Sequence, residues 1–189
     1  MPTANKFHFS VPSWKLVKQA LQYKTRIFDL FMRDMHYPEE GLDGSFVTLK
    51  APDWINVIAL TEENDVVLVE QYRFGIEEAT LELPGGMVDP GEDALATAKR
   101  ELLEETGYWS EHWEQLGKVS SNPAIQTNYT HTFLASNCVF KQQQALGEHE
   151  FIKVHVMPWD EFLSLARAGV VHHSLVVAAI AKYLLAKSQ

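Results

Sequence analysis

Hydrophobic and polar positions recur with two different periods along this chain, and the changes of period outline its elements. Ser13 stands before Trp14, Val17 and Leu21, a spacing that predicts a short capped helix with those three residues on one face. Residues 24–33 then alternate. Phe28, Leu30 and Met32 point one way and Asp29, Phe31 and Arg33 the other, which predicts a strand. Pro38-Glu39-Glu40-Gly41 and Asp43-Gly44 are turn chemistry, and 45–50 reads as a second strand. The two strands are expected to form an antiparallel pair ahead of the main domain.

From Trp54 the pattern changes. Two β-branched runs, 56–60 and 66–70, flank the polar turn 62–65 and predict a hairpin. Asp89-Pro90-Gly91 is a turn, and a run of helix formers then extends from about Glu92 to Gly107, a residue suited to a helix C-cap. Further strands are expected near 114–119, 129–135 and 152–157, separated by polar loops at 121–128 and 141–150. A helix over 159–168 should stop at Gly169, and a last helix over 174–186 should dock through Val176, Ala179, Ile180, Tyr183 and Leu184.

Composition narrows the classes. The 189 residues suffice for one domain with a real core and an appendage, divided here as 1–52 and 53–189. A net charge of −9 fits poorly with nucleic-acid binding, which depends on Lys and Arg neutralising phosphates. The single cysteine, Cys138, cannot form an internal disulfide, which suits a reducing compartment such as the cytoplasm. The N-terminal residues lack a signal-peptide pattern, and no apolar run is long enough for a membrane span.

The chemistry concentrates on the helix near residue 100. Glu101, Glu104 and Glu105 fall at i, i+3 and i+4 and share one face, beside an apolar stripe of Leu95, Ala98 and Leu102. Clustered carboxylates repel, and a positive ion among them relieves the cost. Hard oxygen ligands suit Mg²⁺ or Mn²⁺, which bind a few carboxylates plus substrate phosphates. A solvated acidic face is the bland alternative for any two of these residues.

The wider spacing is more specific. Gly86, five residues, Glu92, seven residues, then Arg100-Glu101-Leu102-Leu103-Glu104-Glu105-Thr106-Gly107 contains seven fixed positions. At residue frequencies of roughly 7%, chance gives such a match about once in 10⁸ starts. The segment resembles the Nudix box, G-x5-E-x7-R-E-U-x-E-E-x-G-U. It departs only at Tyr108, where the family usually has an aliphatic residue.

That resemblance implies a Nudix fold: α/β, with a mixed sheet in an α/β/α sandwich, preceded here by the antiparallel strand pair. It implies a metal-dependent hydrolase of nucleoside diphosphates linked to another group. The metal would be Mg²⁺ or Mn²⁺, held by Glu101, Glu104, Glu105 and the carbonyl of Gly85. Glu101 and Glu104 would be catalytic, with a base from the 141–150 loop. Glu148 is preferred there to Glu150, which abuts the next strand. Gly86, Glu92, Arg100 and Gly107 would be architectural, Arg100 orienting the glutamates.

The context Gln71-Tyr72-Arg73 and Leu81-Glu82-Leu83-Pro84-Gly85-Gly86 resembles the ADP-ribose pyrophosphatase branch. There Arg73 and Glu82 would contact a nucleoside diphosphate sugar, and the N-terminal segment would build a homodimer. The bland alternative is an Arg73–Glu82 ion pair at a strand end. Asn122-Pro123-Ala124 departs from the Pro-Gly of many such relatives. The absence of Asp-x-Lys at His173-Ser174-Leu175 leans toward ADP-ribose. Alternatives are a dinucleoside polyphosphate or coenzyme A as substrate, or a non-catalytic nucleotide sensor. His172-His173 is not read as a metal site, because adjacent residues at a helix start rarely converge on one ion.

Overall fold

The computed structural model describes residues 8–188. Residues 1–7, part of the N-terminal stretch read above, and Gln189 lie outside that range. The described chain forms two compact units. One runs through Ala51 and includes Ala124–Thr127; the other comprises Pro52–Pro123 and the residues from Asn128 onward.

The first unit is an antiparallel sheet, β1 (Lys15–Lys24), β2 (Asp29–Tyr37) and β3 (Leu42–Lys50), in that order. The helix expected after Ser13 is instead β1, so the expected strand pair is a three-stranded sheet. Two register shifts explain the discrepancy. Pairing with β2 slips between Leu16 and Lys18 and again between Leu21 and Tyr23. Each slip breaks strict alternation, and the apolar residues then fall at intervals that imitate a helix. The tight connection from β1 to β2 is set by Thr25, whose hydroxyl accepts the amides of Ile27 and Phe28. Residues 124–127 of the polar loop belong to this unit. Leu49 N–H donates to the Ile125 carbonyl and accepts, through its own carbonyl, from Thr127 N–H.

The second unit is built on β4 (Trp54–Leu60), β5 (Asp65–Arg73), β6 (Glu78–Glu82), β7 (Gly85–Met87), β9 (His112–Ser120), β10 (Tyr129–Ser136) and β12 (Lys153–Pro158). The order β12-β5-β4-β10-β9 carries β6 on β5 and β7 on β4. Only the β4–β10 pairing is parallel among these ladders, so the sheet is mixed. Two short strands the sequence reading did not include, β8 (Tyr108–Trp109) and β11 (Val139–Phe140), form a separate ladder.

Among the described residues three helices cover the sheet: α1 (Ala94–Thr106), α2 (Trp159–Arg167) and α3 (Ser174–Lys187). Strand alternation divides the core into two layers. Ile55, Val57, Ala59 and Val67 pack with Ala98 and Leu102 of α1. Ile58, Leu60, Val66 and Leu68 pack with Phe162 and Leu163 of α2 and Val176, Ala179, Ile180 and Tyr183 of α3. Apolar residues on both faces of β4 and β5 thus produce an α/β/α sandwich. Leu184, expected on the docking face of α3, is largely exposed.

Candidate active site

The site is assembled where β7 lies along α1. The helix starts at Ala94, two residues after the first helix former at Glu92, because Asp93 caps it through bonds from Leu95 N–H and Ala96 N–H. It ends at Gly107, whose φ of 75° suits glycine in the left-handed region. These boundaries fix the rotation of α1 and point Glu101 and Glu105 at β7.

Glu105 is buried, 7% exposed, and accepts the Gly85 N–H at 2.9 Å. Burial pushes its carboxyl up to about 8, and the nearby Glu101 and Glu150 charges push in the same direction. Glu101 lies against Gly86, where any side chain would overlap its carboxylate. Burial also raises the Glu101 carboxyl, against the opposing pull of Arg100.

Arg100 gathers the remaining acids. Its Nη1 donates to Glu101 at 2.8 Å and to Glu104 at 3.1 Å. Its Nε and Nη2 donate to the two Glu92 oxygens at 3.2 and 2.9 Å. Glu92 also receives the Thr97 hydroxyl, and together Arg100 and Thr97 lower its carboxyl to about 2. One guanidinium thus links the loop before the helix to two of its three grouped glutamates.

On the neighbouring strands Arg73 and Glu82 form a two-point pair. Nε donates to Oε1 at 2.7 Å and Nη2 to Oε2 at 2.5 Å, and the Thr80 hydroxyl also donates to Glu82. Burial works to raise the Glu82 carboxyl, but the Arg73 bonds outweigh it and hold the carboxyl below its ordinary value. The Arg73 side chain remains 41% exposed. The two residues therefore meet each other, while Arg73 still faces solvent.

Two clefts meet at Arg73. The smaller, about 200 Å³, is lined by Asn56, Arg73, Glu82, Gly85, Gly86 and His173. The larger, about 560 Å³, is lined by Tyr72, Arg73, Phe74, Glu150, Phe151 and His173. Arg73 and His173 belong to both.

The loop acids are placed differently from each other. Glu150 accepts the Gly147 N–H at 2.8 Å, and its charge acts on both Glu101 and Glu105. Both acids are exposed on the loop. Of the two loop acids, Glu150 is the one whose charge acts on the box glutamates.

Sequence reasoning passed over His173, Phe74 and Phe151 as site-lining residues. No local pattern marks them, since they converge only through the packing of α3 and the loop. Among the described residues, no three His, Cys, Asp or Glu side chains stand ready as a metal cluster, and Arg100 occupies Glu101 and Glu104. The donor set nonetheless suits a hard divalent cation: carboxylate oxygens of Glu101 and Glu105, both raised chiefly by burial, with neighbouring glutamate charges adding to the effect.

Comparison with known proteins agrees with this geometry. The NUDIX domain family matches residues 52–178. A methanol dehydrogenase activator from Bacillus methanolicus is 33% identical over 167 residues, covering 88% of this chain and 90% of that protein. An ADP-ribose pyrophosphatase from Bacillus subtilis is 29% identical over 167 residues, with the same coverage. The crystal structure of an ADP compounds hydrolase superposes with a TM-score of 0.80 at 19% identity, covering 93% of this chain and 95% of that one. This chain belongs to the Nudix family and is a Nudix hydrolase.

Proposed function

We propose that this protein hydrolyses the diphosphate of ADP-ribose, or of a related nucleoside diphosphate sugar, to a nucleoside monophosphate and a sugar phosphate. The observation that carries the proposal is the cleft lined by Arg73, Gly85 and Gly86, the two glycines being those that meet the Glu105 and Glu101 carboxylates. Relatives named ADP-ribose pyrophosphatase in Bacillus subtilis and ADP-sugar pyrophosphatase in Mus musculus support the substrate class.

In this account Glu101, Glu104, Glu105 and the Gly85 carbonyl would hold Mg²⁺ or Mn²⁺. The cation supplies charge neutralisation for the phosphate oxygens and a lower pKa for the attacking water when bound. Arg73 holds the diphosphate, its orientation fixed by Glu82. A loop carboxylate takes the proton of the water that attacks phosphorus as the bridging P–O bond breaks. Glu148 and Glu150 are the candidates for this role, and the charge that acts on the box favours Glu150.

The protein acts as a homodimer in the cytoplasm in the same account. The first unit supports a dimer because Val17, Leu21, Tyr23, Leu42 and Phe46 are left exposed on its sheet. The buried thiol of Cys138 is compatible with a reducing compartment. Among the described residues no helix is long and apolar enough to cross a membrane.

The test is phosphate release, coupled to alkaline phosphatase with Mg²⁺, from ADP-ribose, GDP-mannose, ADP-glucose, a diadenosine polyphosphate and coenzyme A. Turnover of ADP-ribose well above the others is expected. Preference for the polyphosphate or coenzyme A would reassign the substrate. Nucleotide binding with no turnover of any compound would make the protein a sensor.

A further inference from the structure

His173 is the N-cap residue immediately before α3, in an extended conformation with φ −64° and ψ 117°. Its Nδ1 accepts the Leu175 N–H at 3.3 Å. A ring nitrogen that accepts carries no proton, so in the neutral ring the proton lies on Nε2. The cap bond therefore selects one tautomer.

The environment keeps that ring neutral. Burial lowers its pKa, and the charges of Arg73 and His172 add to the effect while Glu82 opposes it. Protonation would also cost the cap bond, because Nδ1 could no longer accept. His172 itself lies 3.9 Å from Glu78, on the outer side of the pair.

The Nε2 edge has a definite direction. It lies 4.0 Å from Glu82 Oε2, beyond hydrogen-bond length, and that oxygen is already taken by Arg73 at 2.5 Å. The ring is one quarter exposed and lines both clefts, as Arg73 does. Beside a guanidinium already aimed at the cleft stands a second, neutral donor whose orientation is set by a helix.

We infer that His173 is a substrate-binding residue: its Nε2–H donates to an oxygen of the phosphate group that Arg73 holds. The inference rests on the proposed diphosphate substrate. It gives the start of α3 a direct part in selecting a phosphate flanked by Arg73.

Two substitutions separate the roles of the ring. In His173→Asn the Oδ1 atom can still cap α3, but no donor reaches the Nε2 position. In His173→Gln the amide N–H reaches that position, but the cap is poor. ADP binding by calorimetry, thermal melting, and KM and kcat for ADP-ribose are measured for both variants. A hydrogen bond to a charged oxygen corresponds to a roughly tenfold or greater change in affinity. His173→Asn should keep the wild-type Tm and weaken ADP binding and KM by about that factor. His173→Gln should bind nearly as wild type with a lower Tm.

Wild-type ADP affinity in His173→Asn, or no ADP binding by the wild-type protein, would overturn the inference. Failure of the substrate assignment looks different. There the wild-type protein leaves ADP-ribose intact, yet its ADP affinity still depends on residue 173.

Discussion

Glu105 carries an ionisation cost that its substitution by Gln removes. Its carboxyl is pushed up to about 8 from an ordinary value near 4.5, chiefly by burial. At pH values between these limits the folded, metal-free protein binds a proton there that the unfolded chain has released. Stability must then fall as pH rises across that window, by about 1.4 kcal/mol per pH unit, and below about 4.5 the penalty vanishes. Between pH 5.5 and 8 the loss from this one group approaches 3 kcal/mol. Gln preserves the acceptor for the Gly85 N–H and cannot ionise. Urea melts in EDTA at pH 5.5 and pH 8 should therefore show a steeper decline for the wild-type protein than for Glu105→Gln, by about that amount. Added Mg²⁺ should restore stability to the wild-type protein at pH 8, as a ligand of the folded state must. It should do far less for the variant, whose kcat should be lower by orders of magnitude. Parallel pH profiles for the two proteins would refute the assigned burial cost, and equal Mg²⁺ stabilisation would refute the ligand role.

Three other substitutions probe separate parts of the account. Gly86→Ala places a methyl against the end of the Glu101 side chain; it should lower kcat by displacing that carboxylate while costing little in chemical denaturation. Glu150→Gln should reduce kcat by roughly 10²–10⁴-fold, whereas Glu148→Gln should leave it near wild type; side-by-side kinetics decide between them. Asp93→Ala removes the cap of α1 and should lower stability by about 1 kcal/mol in urea melts, with only a minor change in KM.

What the sequence made legible was local. The α1 segment could be placed because its turn, helix formers, capping glycine and grouped glutamates all lie within one short stretch. The β4–β5 hairpin was readable from its β-branched runs and polar turn. β1 was not, since its two slips against β2 disguise a strand as helical spacing. Its partner lies in another segment, and the burial needed for a clean alternation is missing. The same limit applies to the site. Arg73 and Glu82 could be suspected of pairing because β5 and β6 are neighbours in sequence. His173, Phe74 and Phe151 reach the clefts only through tertiary packing. The hydrogen bond from Gly147 N–H to Glu150 within the loop is likewise not marked by any local sequence pattern.

The central claim is that carboxylates on α1 and the Arg73 cleft together cleave a diphosphate with the help of a divalent cation. Its most direct test is phosphorus NMR of ADP-ribose incubated with the purified protein, with and without EDTA. The account predicts AMP and ribose 5-phosphate in equal amounts, formed only when Mg²⁺ or Mn²⁺ is present. Equal rates in EDTA, or an unchanged spectrum at any concentration of either metal, would contradict it.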